Sequence, residues 1–151
     1  MKMEQKQLPE KIRQAATELD NAIENRDVDR IMAGFSDDCE IKLLGVKLTG
    51  KEGLAKWIDW MYAHLEKIKF EPITIMVDGN ALFEEFILKG RLHDGTEVQS
   101  KQAEVLIYEN YKVKSLRLYF DRLDFAHSVA KGVISKALVR RVVRESLKGL
   151  K

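Results

Sequence analysis

Cysteine is almost absent from this 151-residue chain. Cys39 stands alone, which excludes an internal disulfide, and no Cys/His spacing suggests a zinc site. Proline is scarce at two residues and glycine modest at nine, and 45% of the chain is hydrophobic, which excludes disordered and collagen-like classes. No apolar run approaches the ~18–20 residues a membrane span needs, and the opening MKMEQKQLPE lacks the apolar core of a signal peptide, so a soluble, cytoplasmic protein is expected. Neither a Ser/His/Asp arrangement nor a phosphate-binding glycine loop occurs, and no motif calls for a cofactor or metal. Net charge is only +2, yet it is unevenly spread: residues 122–151 hold eight Lys/Arg against two acids, whereas residues 1–121 hold 18 against 22. The length fits one domain, read as residues 1–127, followed by a basic tail at 128–151.

Pro9 suits a first helical turn, where its missing N–H costs nothing. Ile12, Ala15, Ala16, Leu19, Ala22 and Ile23 then recur at helical spacing, predicting one apolar stripe. After Asn25-Arg26-Asp27 a short helix carries Val28, Ile31, Met32 and Phe35, and Cys39 to Leu44 reads as a strand. Thr49-Gly50-Lys51-Glu52 has the form of a capping box before a helix presenting Leu54, Trp57, Ile58, Met61, Leu65 and Ile68 on one side. From Phe70 onward the period becomes that of strands: Ile73–Val77, Ala81–Leu92, Thr96–Tyr108 and Lys112–Phe120, separated by Asp78-Gly79, Asp94-Gly95 and Glu109-Asn110. Helices followed by an antiparallel meander make an α+β domain. Asp121 and Asp124 suit the start of a last helix, which Gly132 interrupts. Beyond it Val139, Val142, Val143, Leu147 and Leu150 form an apolar stripe, with Lys136, Arg140, Arg144 and Lys148 on another face.

This order, with the stretches Asp27-Val28-Asp29-Arg30-Ile31, Phe35-Ser36-Asp37-Asp38-Cys39-Glu40-Ile41 and Leu48-Thr49-Gly50-Lys51-Glu52-Gly53-Leu54, resembles the NTF2-like superfamily and its SnoaL-like group. Lys112-Val113 and Arg117-Leu118-Tyr119-Phe120-Asp121, with Phe125 after them, look most like the end of limonene epoxide hydrolases. The resemblance covers roughly residues 8–127. It implies a cone: N-terminal helices packed in a strongly curved antiparallel sheet, a pocket open at one end, and a C-terminal helical extension. Isomerases, cyclases, epoxide hydrolases and noncatalytic binding modules share that fold, and the fold does not choose among them.

Strand alternation places Leu82, Glu84, Phe86, Leu88 and Gly90 on one face, Glu104, Leu106 and Tyr108 on one, and Leu116, Leu118 and Phe120 on another. Similarity to ketosteroid isomerases turns these sets toward the cavity, with Ile41, Leu43, Trp57, Ile58 and Met61. Val105 and Ile107 then fall on the outer face, where a homodimer contact would account for them. The resemblance matches Leu43 to the isomerase base, Leu19 to its oxyanion-hole tyrosine, and Glu104 to a carboxylic acid kept protonated. It matches Ile41 and Leu43 to the epoxide hydrolase residues that hold water, and Leu118 to a catalytic aspartate. Neither mechanism can run unchanged.

Glu84 and Glu104, with Tyr108, remain as candidates for acid/base work on a small hydrophobic molecule. Two inward carboxylates would desolvate and repel one another, raising a pKa toward neutrality. Alternatively Glu84 lies at the pocket mouth or pairs with Arg91 or Arg117, and Glu104 faces solvent on an out-of-phase strand; a noncatalytic ligand-binding or interaction module is then the reading. His64 reads as a surface residue, His93 as part of a turn, His127 as part of the tail helix, and Cys39 as a small buried residue. The basic tail is expected to cover the open end of the acidic body, with an anionic membrane surface or a partner protein (through residues 133–151) as alternatives. It lacks aromatics to stack on bases, so nucleic acid is not expected.

Overall fold

The structure is a computed structural model that describes residues 6–151; of His127 and Ser128 only the backbone is described. Helix α1 (Pro9–Glu24) begins at Pro9 and buries Ile12, Ala16, Leu19, Ala22 and Ile23, the expected stripe. Asp27 caps the short α2 (Val28–Ala33), its side chain accepting from the Arg30 N–H at 3.1 Å. The chain then enters β1 (Phe35–Leu43), β2 (Val46–Thr49) and α3 (Gly50–His64), followed by β3 (Lys67–Asp78), β4 (Ala81–Arg91), β5 (Glu97–Glu109) and β6 (Lys112–Phe120). Helices α4 (Leu123–Val129) and α5 (Gly132–Ser146) complete it.

The six strands form one sheet in the order β2-β1-β6-β5-β4-β3. From β3 to β6 it is the expected antiparallel meander. The sheet is not wholly antiparallel, however: β1 runs parallel to β6, with Ile41 opposite Leu116. This pairing starts β1 at Phe35, four residues earlier than its apolar pattern suggests, because the Val113 N–H already reaches the Gly34 carbonyl at 2.8 Å. Strand β3 is likewise longer than expected. As an edge strand it tolerates Pro72, next to a register shift between Pro72 and Thr74.

Three local expectations are corrected. Thr49 precedes α3 but makes no side-chain cap, and Glu52 is exposed; Thr49 is held extended by its pairing with Glu40, and no capping box forms. Leu65 and Ile68 do not continue α3: the backbone turns extended at Leu65, whose carbonyl accepts from the Arg26 guanidinium at 3.1 Å. Both are nevertheless buried. Asp121 does not cap α4 in the usual position, which Arg122 occupies, but its carboxylate takes the Leu123 N–H at 2.9 Å.

The core lies between the concave face of the sheet and helices α1 and α3. Phe35 meets Trp57 edge-on at 6.2 Å, and Leu54, Ile58, Leu82, Leu106 and Leu116 are almost fully enclosed. At one end Gln7 closes the wall, donating to Asn80 and to the Tyr108 carbonyl (both 2.8 Å) and accepting from the Tyr111 N–H at 2.7 Å. Helix α4 is tied across the sheet by Ser100 to Asp124 at 2.6 Å and by Phe125 edge-on to Phe120. Thus α4, which takes in only the first two residues of the tail, covers part of the open end, with Phe125 and Val129 in the cavity wall. Gly132, at φ +81°, breaks the helix, and α5 buries none of its residues; Val133 and Ile134 are 81% and 86% exposed. Of its expected stripe Val139, Val143 and Leu147 are half-buried, but α5 supplies none of the cavity walls.

Candidate functional site

The sheet curls around α3 and α1 to leave a cavity of about 300 Å³, at the lower end of the range for small-molecule sites. Register decides which side chains face it. Glu84 on β4 stands opposite both Ile75 and Glu104, and Glu104 opposite Leu118, so all four share the concave face. Both glutamates therefore point inward. Glu84 is only 2% exposed, while Glu104 keeps some accessibility onto the cavity it lines. Neither alternative partner reaches Glu84: Arg91 pairs with Glu66 at 2.9 Å, and among the described residues Arg117 makes no ion pair.

A third acid joins them. Asp20 projects from α1 into the same cavity, and carboxylate oxygens of Asp20, Glu84 and Glu104 lie within 4.8 Å of one another. Sequence reasoning missed it, although Asp20 sits four residues after Ala16 and three before Ile23, on the apolar side of its helix. An acid within an apolar stripe was the available signal. This donor set is one that could ligate a cation.

Three carboxylates in a greasy recess cannot all ionise. Burial pushes Asp20 up to about 8, with the charges of Glu84 and Glu24 adding to the effect. Burial also raises Glu84, opposed by a hydrogen bond with Glu104. Glu104 rises well above the carboxylate range through burial, the charges of Asp20 and Glu84, and that same hydrogen bond. The consistent assignment is a Glu84 carboxylate accepting from protonated Glu104, beside a protonated Asp20. One Glu84 oxygen, Oε1, is buried without a hydrogen-bond partner, as is the Tyr108 hydroxyl. Burial, then the charges of Glu104, Asp20 and Glu84, hold that hydroxyl firmly protonated.

Of the remaining expected residues, Trp57, Met61, Phe86, Leu88, Leu116, Leu118 and Phe120 line the cavity. Ile41, Leu43, Ile58, Leu106 and Tyr108 do not; they are buried in the surrounding core. Residues outside the expected set complete the wall, among them Leu19, Ile23, Phe70 and buried Gln102. The exposed lining residues Trp60, His64, Arg122 and Val129 mark the mouth. His64 is thus at the surface, as expected, but on the cavity rim, its Nδ1 2.9 Å from the Trp60 carbonyl. His93 belongs to the turn between β4 and β5, the His127 backbone falls in α4 while its side chain lies outside the described residues, and Cys39 is buried with Sγ 3.6 Å from the Gly50 carbonyl.

Comparison with solved structures places this architecture among known ones. An NTF2-like protein of unknown function from Burkholderia pseudomallei superposes with a TM-score of 0.73 at 16% identity, covering 80% of this chain and 98% of the other. An LEH-like epoxide hydrolase from M. tuberculosis gives 0.69 at 23% identity, over 89% and 97%. A protein with a ketosteroid isomerase-like fold from Catenulispora acidiphila, solved with trimethylamine, gives 0.68 at 17%, over 80% and 92%. At these identities the likeness shows the fold alone. No curated protein matches the sequence. The SnoaL-like domain family matches residues 16–115, two-thirds of the chain and most of the cavity wall, so the chain belongs to the SnoaL-like domain family and carries its NTF2-like cone.

Proposed function

We propose that the protein binds a small hydrophobic molecule in this cavity and moves a proton on it by carboxylate acid/base chemistry, without a cofactor. The observation that carries the reading is the convergence of Asp20, Glu84 and Glu104 in an otherwise apolar cavity. Glu84, the buried carboxylate with an unpaired oxygen, is suited to take a proton from carbon or from water; Asp20 and Glu104, held protonated, are suited to give one to a developing oxyanion. Tyr108, behind the wall, contributes to the field rather than touching the substrate. Isomerisation, cyclisation and epoxide opening all need that pairing of base and acid. The test is turnover of a panel of small enones, ketones and epoxides by wild type, Glu84→Gln and Glu104→Gln. A loss of ~10²-fold or more in both variants is expected, and unchanged rates would overturn the assignment.

A noncatalytic binding module is the second reading. It is favoured by Ile41 and Leu43, apolar and enclosed where the resemblance puts an isomerase base and water-holding groups, and by Leu118 in the cavity wall. Tight binding without turnover across the panel would decide for it.

Two surface proposals accompany the site. The outer face of the sheet presents half-buried Phe83, Val105 and Ile107 beside exposed Tyr119, the surface for a homodimer. Helix α5, left uncovered, is a candidate for an anionic membrane surface: residues 132–151 carry six Lys/Arg against one acid. A cytoplasmic location remains the expectation; among the described residues no helix is long and apolar enough to cross a membrane.

A further inference from the structure

We infer that the molecule this cavity takes is a hydrophobic amine, bound as its ammonium ion with the nitrogen at the Asp20–Glu84–Glu104 cluster and its apolar body among the aromatic walls. The inference rests on the reading of the cavity as a small-molecule site and takes it in its noncatalytic form, in which the cluster serves as a counter-ion to the occupant instead of a proton donor.

Four observations converge. First, the cluster has no cation of its own: among the described residues none of the three acids forms an ion pair with Lys, Arg or His. The basic lining side chains, His64 and Arg122, stand at the mouth and are engaged there, His64 with the Trp60 carbonyl at 2.9 Å and Arg122 donating to the Leu44 carbonyl at 2.8 Å. Second, Glu84 is nearly fully buried, lines the cavity and leaves Oε1 unpaired; an N–H donor from a guest would satisfy it. Third, the remaining wall is rich in π faces: Trp57, Trp60, Phe70, Phe86, Phe120 and Phe125 all line the space. Aromatic faces attract cations as well as hydrocarbon, and desolvated cation–π contacts are the stronger ones. Fourth, the three carboxylates and the Gln102 amide are the polar groups of the interior, so a guest seated at the cluster lays the rest of its surface on hydrocarbon, which suits an organic ammonium ion better than a metal ion that keeps its waters.

Proton linkage gives the proposal a signature. The groups facing the cluster are Asp20 and Glu24 from α1, Glu84 from β4, and Glu104 and Tyr108 from β5. Glu24 is occupied with Lys69 and the Phe70 N–H. Without a guest, Asp20 and Glu104 hold protons because their charges are uncompensated. An ammonium ion supplies the compensation, so its binding drives protons off the cluster, whereas a neutral guest of the same shape leaves them in place.

The experiment is calorimetric titration of the full chain with benzylamine and with the near-isosteric benzyl alcohol, at about pH 5 and about pH 8, in two buffers of different ionisation enthalpy. The expected result is at least roughly tenfold tighter binding of benzylamine at the higher pH, a smaller gap at the lower, and proton release on binding the amine alone. In Asp20→Asn and in Glu84→Gln, checked for folding by circular dichroism, the preference is expected to shrink. Equal affinity for amine and alcohol at both pH values overturns the amine proposal while leaving the hydrophobic cavity standing. Binding of neither probe overturns both. Displacement of benzylamine by millimolar Mn²⁺ or Mg²⁺, with stoichiometric metal binding, would reassign the cluster to a metal and overturn the proposal as well.

Discussion

Replacing Asp20 by asparagine removes a titrating group from the cluster while keeping its shape, and the structure fixes both sign and size of the effect. The Asp20 carboxyl titrates at about 8 in the folded protein against 3.8 when solvated. Below pH 4 both folded and unfolded states hold the proton, and the group is neutral with respect to stability. Between 4 and 8 only the folded state holds it, so stability falls as pH rises through that window and levels off above it. At ~1.4 kcal/mol for each tenfold change in proton affinity, the full cost above pH 8 is of the order of 5 kcal/mol. Part of that cost is repulsion from neighbouring acids, and Glu84 shares the same protons, so a gain of about 2–4 kcal/mol at pH 9 is expected for Asp20→Asn, and almost none at pH 4. With urea slopes of ~1–3 kcal/mol/M for a chain of this size, the midpoint at pH 9 should move up by about 1–2 M. Urea melts of wild type and variant from pH 4 to pH 9 measure it. Parallel stability-against-pH curves, or a variant less stable than wild type at pH 9, would refute a proton-bearing Asp20 in the cavity.

Gly90 faces the cavity side of β4, where an added Cβ would stand 2.8 Å from Leu65 Cδ2 and 3.2 Å from Val98 Cγ2, so Gly90→Ala should cost about 1–3 kcal/mol in denaturant melts. Val105→Asp on the outer face should convert a dimer to a monomer in sedimentation equilibrium, and a wild type that sediments as a monomer would dispose of the dimer. Truncation after Lys131 removes a helix with no fully buried residue and no place in the cavity wall, so the shortened chain should melt within a few degrees of wild type yet lose co-sedimentation with vesicles rich in phosphatidylserine. Equal sedimentation of both chains would exclude the membrane role.

The meander was legible because its signals are local. Alternation and the turn dipeptides placed β6 to the residue and β4 and β5 to within one, since each strand pairs with its neighbour in sequence. What depends on distant partners was not. The β1–β2 turn runs through Leu44 and Gly45, both at positive φ, and leucine there announces no hairpin. The parallel seam between β1 and β6 leaves no mark on either strand. In the site, the inward phase of Glu84 and Glu104 followed from alternation, but Asp20 required asking of a helix the question put to the strands. Trp60 and Phe125 escaped for a related reason: they lie at a mouth whose position is set by where α4 crosses.

The seam between the first and sixth strands also sets a schedule for biosynthesis. Ser36 touches Val113 across 77 residues, and Gln7 waits for Tyr108 and Tyr111. A ribosome must deliver every residue up to β6 before the early strand gains its second neighbour, so Ile41 and Leu43 wait while α3 and strands β3 to β5 are made. Long-range pairings of this kind slow folding and leave sticky intermediates. Any premature stop ahead of residue 112 therefore yields a polypeptide with a ready edge and no mate for it, material for chaperones and proteases rather than a smaller working protein.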